Sequence, residues 1–372
     1  MENRISLFLG TTALLLTSCG NKTISFTSQK LVHETKFGQI AFDITIEDFN
    51  KLGFSFGDSC NVTFSNGKVI EDIPYYNGYY CRNFETLVVG YPGYDSIRVA
   101  ISNGNDSYEM YEIQDDTTGT ITLNKKGKYK DVQDSLSLKY SDDRNEFTSD
   151  TVFANFREMN VGNLKDNLLY RSASPCDNQH NRAPYVSKLA EENNISYIID
   201  LADDASELET YNASTNYDIS YWKTLYSQNK VLPLDMNMNF MSEKFTSGVN
   251  TLFTEFLNND GAFLIHCTEG KDRTGFVCIL FEILAGATYE EIRDDYMVTY
   301  ANYYNITKET NPVAYEKVLD VHFYNQIHTL EVPSDGEVDK TENINLGCKS
   351  YLTQYCGLTS EQIENIKTKL TK

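Results

Sequence analysis

The chain has 372 residues, and 53 Asp and Glu set against 32 Lys and Arg leave a formal net charge of −21. Such acidity excludes nucleic-acid binding by counterion release, and equally a polybasic grip on anionic lipid. The length suits two domains with ample core, and 26 Tyr with 20 Phe make the chain strongly aromatic.

Met1 to Arg4 is short and carries one positive charge, and Ile5 to Leu16 is mostly apolar. The apolar run is too short to span a bilayer as a stable helix. Leu16-Thr17-Ser18-Cys19-Gly20 then resembles a bacterial lipoprotein signal. That resemblance implies removal of residues 1–18, lipidation of Cys19, and a lipidated tether over 19–30. It also implies an extracytoplasmic, membrane-anchored lipoprotein whose membrane contact is the acyl chains. The plainer alternative is an ordinary cleaved secretory signal.

Residues 31–125 show short alternating runs. Asn61 to Phe64 and Lys68 to Ile70 flank Ser65-Asn66-Gly67, and Asn-Gly between such runs is a hairpin signal. Leu87 to Val89, Ile97 to Ile101 and Thr120 to Leu123 extend the pattern, with Asn103-Gly104 as a further turn. The segment reads as a small all-β domain, barrel or sandwich, without a catalytic cluster. Polar residues 126–140 read as a linker to a second domain over 141–372.

In that second domain strand and helix signals alternate. A helix containing Tyr185 to Ala190 precedes a strand over Ile195–Leu201, and Phe240–Leu257 has helical periodicity. Thr288 with Glu291, and Thr359 with Gln362, are capping-box patterns. The class is α/β, a central sheet flanked by helices.

The chemistry sits at His266-Cys267-Thr268-Glu269-Gly270-Lys271-Asp272-Arg273-Thr274-Gly275. Apolar Ala262 to Ile265 before it reads as a buried strand, and Phe276 to Leu284 after it as a helix ending near Gly286. A thiol at the base of a loop that curls over a helix start meets backbone N–H groups suited to three phosphoryl oxygens. Arg273 adds a planar two-pronged contact that lysine could not match. A helix start and a nearby arginine also favour the nucleophilic thiolate form of a cysteine. Thr274, first on the helix, is placed to assist the sulfur as a leaving group. Such a site performs covalent phosphoryl transfer without a metal or other cofactor.

These residues resemble the signature loop of the cysteine-dependent protein tyrosine phosphatases, HCxxGxxRTG. Gly270 to Gly275 is similar to the bacterial members that also hydrolyse phosphoinositides. Asn155-Phe156-Arg157, Leu169 to Ala173 and Ile198 to Leu201 resemble that family's upstream landmarks, and Thr288 to Ile292 and Gly357 to Ile363 its C-terminal helices. The resemblance implies Cys267 as nucleophile, Arg273 as oxyanion clamp, and Thr268, Glu269, Gly270, Lys271, Thr274 and His266 around the phosphate, with His266 ordering the loop. For the general acid it offers Asp272, the preferred choice, and Asp235 on an upstream Pro-containing loop. The chain departs from its relatives at Ala202, where they carry arginine.

Lys271 resembles the lysine of lipid-directed members and suits a substrate with several phosphates; its simpler role is to help the thiol ionise. Expected partners are therefore a phosphorylated protein or an inositide. The alternatives are a phytase-like inositol polyphosphatase or a surface module that binds a phospho-ligand without turnover. Six cysteines besides Cys19 and Cys267 leave room for Cys60–Cys81 and Cys348–Cys356 pairs.

Overall fold

The computed structural model describes residues 23–333 and 339–372, so the signal, Cys19 and the start of the tether lie outside the described residues. The chain divides between Ser137 and Leu138 into two compact units. No described helix is long and apolar enough to cross a membrane.

The first unit is strand-rich. Its strands are β1 (Ser25–Ser28), β2 (Leu31–Glu34), β3 (Gln39–Phe42), β4 (Ser59–Phe64), β5 (Val69–Tyr76), β6 (Thr86–Val89), β7 (Arg98–Ile101) and β8 (Gly119–Lys125). They hydrogen-bond in the order β1-β8-β4-β5-β6-β7-β3-β2. The two end strands are separated only by Gln29 and Lys30, so the sheet must curl until its ends meet. Alternation does the packing: in β4, Cys60, Val62 and Phe64 are buried while Thr63 is exposed. Aromatic rings meet within a mostly aliphatic core, with Phe49 stacked on Phe54 at 4.0 Å and Tyr75 edge-on to Phe49 at 5.2 Å. The Asn66-Gly67 turn joins β4 to β5, and Gly67 takes the left-handed φ of 88° that the turn requires.

Two boundaries differ from the sequence expectation. Ser25–Ser28, expected in the tether, is β1 and pairs antiparallel with β8 from Ser25↔Thr122 to Ser28↔Gly119. Part of the expected linker is a helix, Lys130–Leu136, whose Gln133 bonds Asn77 in the first unit. Polarity misled here because a short amphipathic helix on a sheet needs few apolar residues. Neither disulfide forms: the seven described cysteines are buried free thiols.

The second unit is α/β. Its strands are β9 (Arg157–Glu158), β10 (Leu169–Ser172), β11 (Ile195–Asp200), β12 (Val231–Pro233) and β13 (Ala262–His266), ordered β12-β11-β13-β10-β9. All neighbours are parallel except the β9–β10 pair. β13 is central and buried at every residue, as a parallel strand covered on both faces must be. Ile198 and Leu264 pack with Val186, Leu189 and Trp222 from the helices Ala183–Glu192 and Ser220–Ser227. Phe263 meets Phe256 of the helix Glu243–Asn258 at 4.9 Å, and Phe256 meets Phe281 of the helix Asp272–Leu284 at 5.2 Å. Both expected capping boxes form, at Thr288–Glu291 and Thr359–Gln362.

Candidate active site

Cys267 follows β13 directly, past the carboxyl edge where His266 is paired with Ser172 on one side and Asp200 on the other. Ligands of parallel sheets collect at that edge. The loop 267–271 turns into the helix Asp272–Leu284, which is buried at every residue from Thr274 to Leu284. Its first-turn amides have no intrahelical acceptor and form the positive end of the dipole.

The orientation of the loop is set by its carbonyls. Leu201 N–H donates to His266 O at 2.9 Å, Ser174 N–H to Thr268 O at 3.1 Å, and Gly275 N–H to Lys271 O at 2.8 Å. Tyr303 Oη donates to Glu269 O at 2.6 Å, and Arg171 Nη2 and Asn155 Nδ2 donate to Gly270 O at 3.2 and 3.3 Å. With these carbonyls drawn into the scaffold, the peptide N–H groups turn to the opposite side. An anion nest requires that arrangement of peptide groups. Gly270 takes φ 68°, and a Cβ there would lie 2.1 Å from the Ser172 carbonyl oxygen.

The scaffold is itself clamped. Asp295, on the helix Tyr289–Tyr304, accepts from Arg157 Nε at 3.0 Å and from Arg171 Nη1 at 2.8 Å. Burial opposes its ionisation, but Arg157 and Arg171 outweigh this and hold its carboxyl well below the usual range. Burial and the charge of Asp295 push neighbouring Glu282 well above that range. The landmarks Asn155, Arg157 and Arg171 therefore serve the loop from behind it.

Cys267 is 3 % exposed. Arg273 donates from Nη1 to Met236 O at 3.0 Å and from Nη2 to Thr268 Oγ1 at 3.3 Å, while its Nε is buried without a partner. Thr274 Oγ1 is also buried and unpartnered. Each such atom carries a cost unless a ligand or solvent meets it, and these two belong to the residues expected to hold phosphate and sulfur.

Lys271 pairs with Glu269 at 2.9 Å and lies 3.7 Å from Asp272. Burial opposes its charge, but Asp272, Tyr304 and Glu269 raise it well above its usual value. Burial raises the Asp272 carboxyl, as a proton donor requires. Asp235 has a left-handed φ of 42°, is half exposed, and ion-pairs with Lys244. Its neighbour Met236 is the residue that touches Arg273, so both candidate acids border the site.

Several contributors escaped the sequence reading. Tyr140, placed by sequence in a linker, donates to Glu269 Oε1 at 2.7 Å and lies 4.9 Å from Tyr303 and 5.8 Å from Tyr304, ring to ring. These tyrosines and Arg182 make an aromatic wall beside the loop. Beneath it, His266 Nδ1 bonds Cys267 O at 3.3 Å. Burial lowers His266 to about 4 and raises Asp200 to about 7. Burial and the Asp200 charge raise Asp203 to about 8.

No curated protein matches the chain. Among solved structures, an uncharacterized conserved protein from Thermotoga maritima is similar over 26% of this chain and 35% of its own, at 18% identity and TM-score 0.23. The match thus spans about a third of that protein's length, too little to carry any argument. The sequence pattern of the tyrosine phosphatase family matches residues 153–372, which include every loop and scaffold contact described above except those of Tyr140. The chain belongs to the tyrosine phosphatase family.

Proposed function

We propose that the chain is a phosphomonoesterase acting through a phosphocysteine intermediate on phosphotyrosine, phosphoinositides or both. The observation that carries this is the loop whose carbonyls are held outward around Cys267 and Arg273. Cys267 sulfur attacks phosphorus, and the bond from phosphorus to the leaving oxygen breaks. The loop amides and Arg273 hold the phosphoryl oxygens while Asp272 passes its proton to the leaving group. Water then cleaves the phosphorus–sulfur bond, returning a proton to the Asp272 carboxylate and releasing phosphate. The wall of Tyr140, Tyr303 and Tyr304 suits an aromatic ring, and Lys271 suits a second phosphate. Cys19 places the enzyme on the outer side of a bacterial membrane as a lipoprotein.

The test is hydrolysis of a small aryl phosphate by the whole chain. Cys267→Ser lowers turnover on the order of a thousandfold or more, and EDTA leaves the wild type active. Full activity in the serine variant overturns the mechanism.

A further inference from the structure

Behind the phosphate loop lies a polar cluster in which only the Nδ1 side of His266 serves the loop. Cys176, Asp200 and His266 are each fully buried, and their donor atoms all lie within 4.8 Å of one another. His266 Nε2 is 3.7 Å from Asp200 Oδ2, and the Cys176 thiol donates to the same oxygen at 4.0 Å.

The tautomer of His266 is decided by its other nitrogen. A carbonyl oxygen can only accept, so Nδ1 carries the proton in its bond to Cys267 O. The ring is therefore a donor at Nδ1 and a bare lone pair at Nε2. That lone pair has no hydrogen-bond partner and is aimed at a carboxylate oxygen. A bare lone pair facing a buried carboxyl group is satisfied either by a proton on that carboxyl or by a cation between the two. At 3.7 Å the gap is too long for a shared proton to bridge. Asp200 is held from behind: its Oδ1 accepts from the backbone N–H of Ala202 at 2.9 Å and of Asp203 at 3.1 Å. Asp203 Oδ2 is a further buried oxygen without a partner.

The geometry points to a zinc-class divalent cation site formed by Cys176 Sγ, Asp200 Oδ2 and His266 Nε2. One thiolate, one imidazole and one carboxylate are the borderline-soft donors that zinc takes, whereas magnesium and calcium take oxygen alone. Zinc bonds of about 2.0 Å to nitrogen and oxygen and about 2.3 Å to sulfur put tetrahedral ligands about 3.3–3.6 Å apart, so the His266–Asp200 and Cys176–Asp200 pairs each close in by roughly half an ångström, and Cys176 and His266, within 4.8 Å, move toward each other as well. The Nδ1 bond to a backbone carbonyl is the outer contact that ligating histidines typically make. On binding, the Cys176 thiol gives its proton to solvent and the sulfur–zinc bond forms, with no change of oxidation state. The ion would tie the loop after β10, the end of β11 and the end of β13 together one residue before Cys267.

The test titrates the metal-free whole chain with zinc, then with cobalt(II), whose bond to thiolate gives a near-ultraviolet charge-transfer band. One zinc per chain is expected, with a raised unfolding midpoint. The cobalt band persists in Cys267→Ser and disappears in Cys176→Ser. Zinc affinity falls at least about a hundredfold in Cys176→Ser and about tenfold in Asp203→Asn, which keeps the fold's shape. No zinc uptake, or uptake lost in Cys267→Ser and kept in Cys176→Ser, overturns the proposal; the second result places the ion on the nucleophile. Neither readout depends on turnover, so failure here is separate from failure of the phosphatase reading.

Discussion

Arg273 Nη1 donates to the backbone carbonyl of Met236 at 3.0 Å, and so ties the start of the signature helix to the loop that carries Asp235. One guanidinium thus follows Asp272 in sequence and holds the carbonyl of the residue after Asp235.

The two acids have different fates on substitution. Asp272→Asn is expected to lower kcat by about 10²–10⁴, most for substrates with poor leaving groups. Asp235→Asn breaks a half-exposed ion pair with Lys244 and is expected to change kcat by less than about fivefold. Turnover of aryl phosphates of graded leaving-group acidity checks this. A steep leaving-group dependence in the Asp235 variant instead would reverse the assignment.

The loop carries its own counter-charge, since Lys271 is matched by Glu269 at 2.9 Å, and Tyr140 holds Glu269. A substrate's second phosphate must therefore compete with Glu269 for the lysine. Glu269→Gln is expected to raise kcat/KM for an inositol bisphosphate by about tenfold relative to an aryl monophosphate, one such charge interaction being on the order of 1 kcal/mol. Lys271→Ala should shift that ratio the opposite way. Equal losses on both substrates would mean that Lys271 tunes the thiol instead of reading the substrate.

Asp295 links the family landmarks to stability. Removing its charge leaves Arg157 and Arg171 buried without an anion, so Asp295→Asn is expected to cost about 3–5 kcal/mol. Its carboxyl pKa is depressed in the folded state, so its contribution is complete above the ordinary aspartate value near 3.8. The contribution is lost as pH falls from there toward the folded value. Denaturant unfolding at neutral and acidic pH checks this: the gap between wild type and variant should narrow on acidification.

Gly270→Ala combines a left-handed φ with a Cβ 2.1 Å from the Ser172 carbonyl oxygen. The expected cost is about 2–4 kcal/mol. Turnover should fall with it, because the loop amides cannot shift without losing the phosphate. Thermal unfolding and aryl phosphate kinetics measured together read both effects.

Much of the second unit was legible because its determinants are contiguous. The apolar run before Cys267, the helix to Leu284 and the boxes at Thr288 and Thr359 are written in neighbouring residues whose dihedral and hydrogen-bonding preferences act locally. The Asn66-Gly67 hairpin was legible for the same reason. The edges of the first unit were not. β1 and the helix Lys130–Leu136 are polar segments that gain their structure from strands far away in the chain.

Local chemistry by itself determined the strand-loop-helix and the cysteine and arginine at their fixed spacing, since each depends on residues within one turn of another. Tertiary structure alone decided what holds that loop. Tyr140 reaches Glu269 across 129 residues of sequence, Arg157 reaches Asp295 across 138, and Asn155 reaches Gly270 across 115. Residue spacing cannot encode such pairs, because they meet only when packing of the apolar sheet and helices has already brought distant segments together.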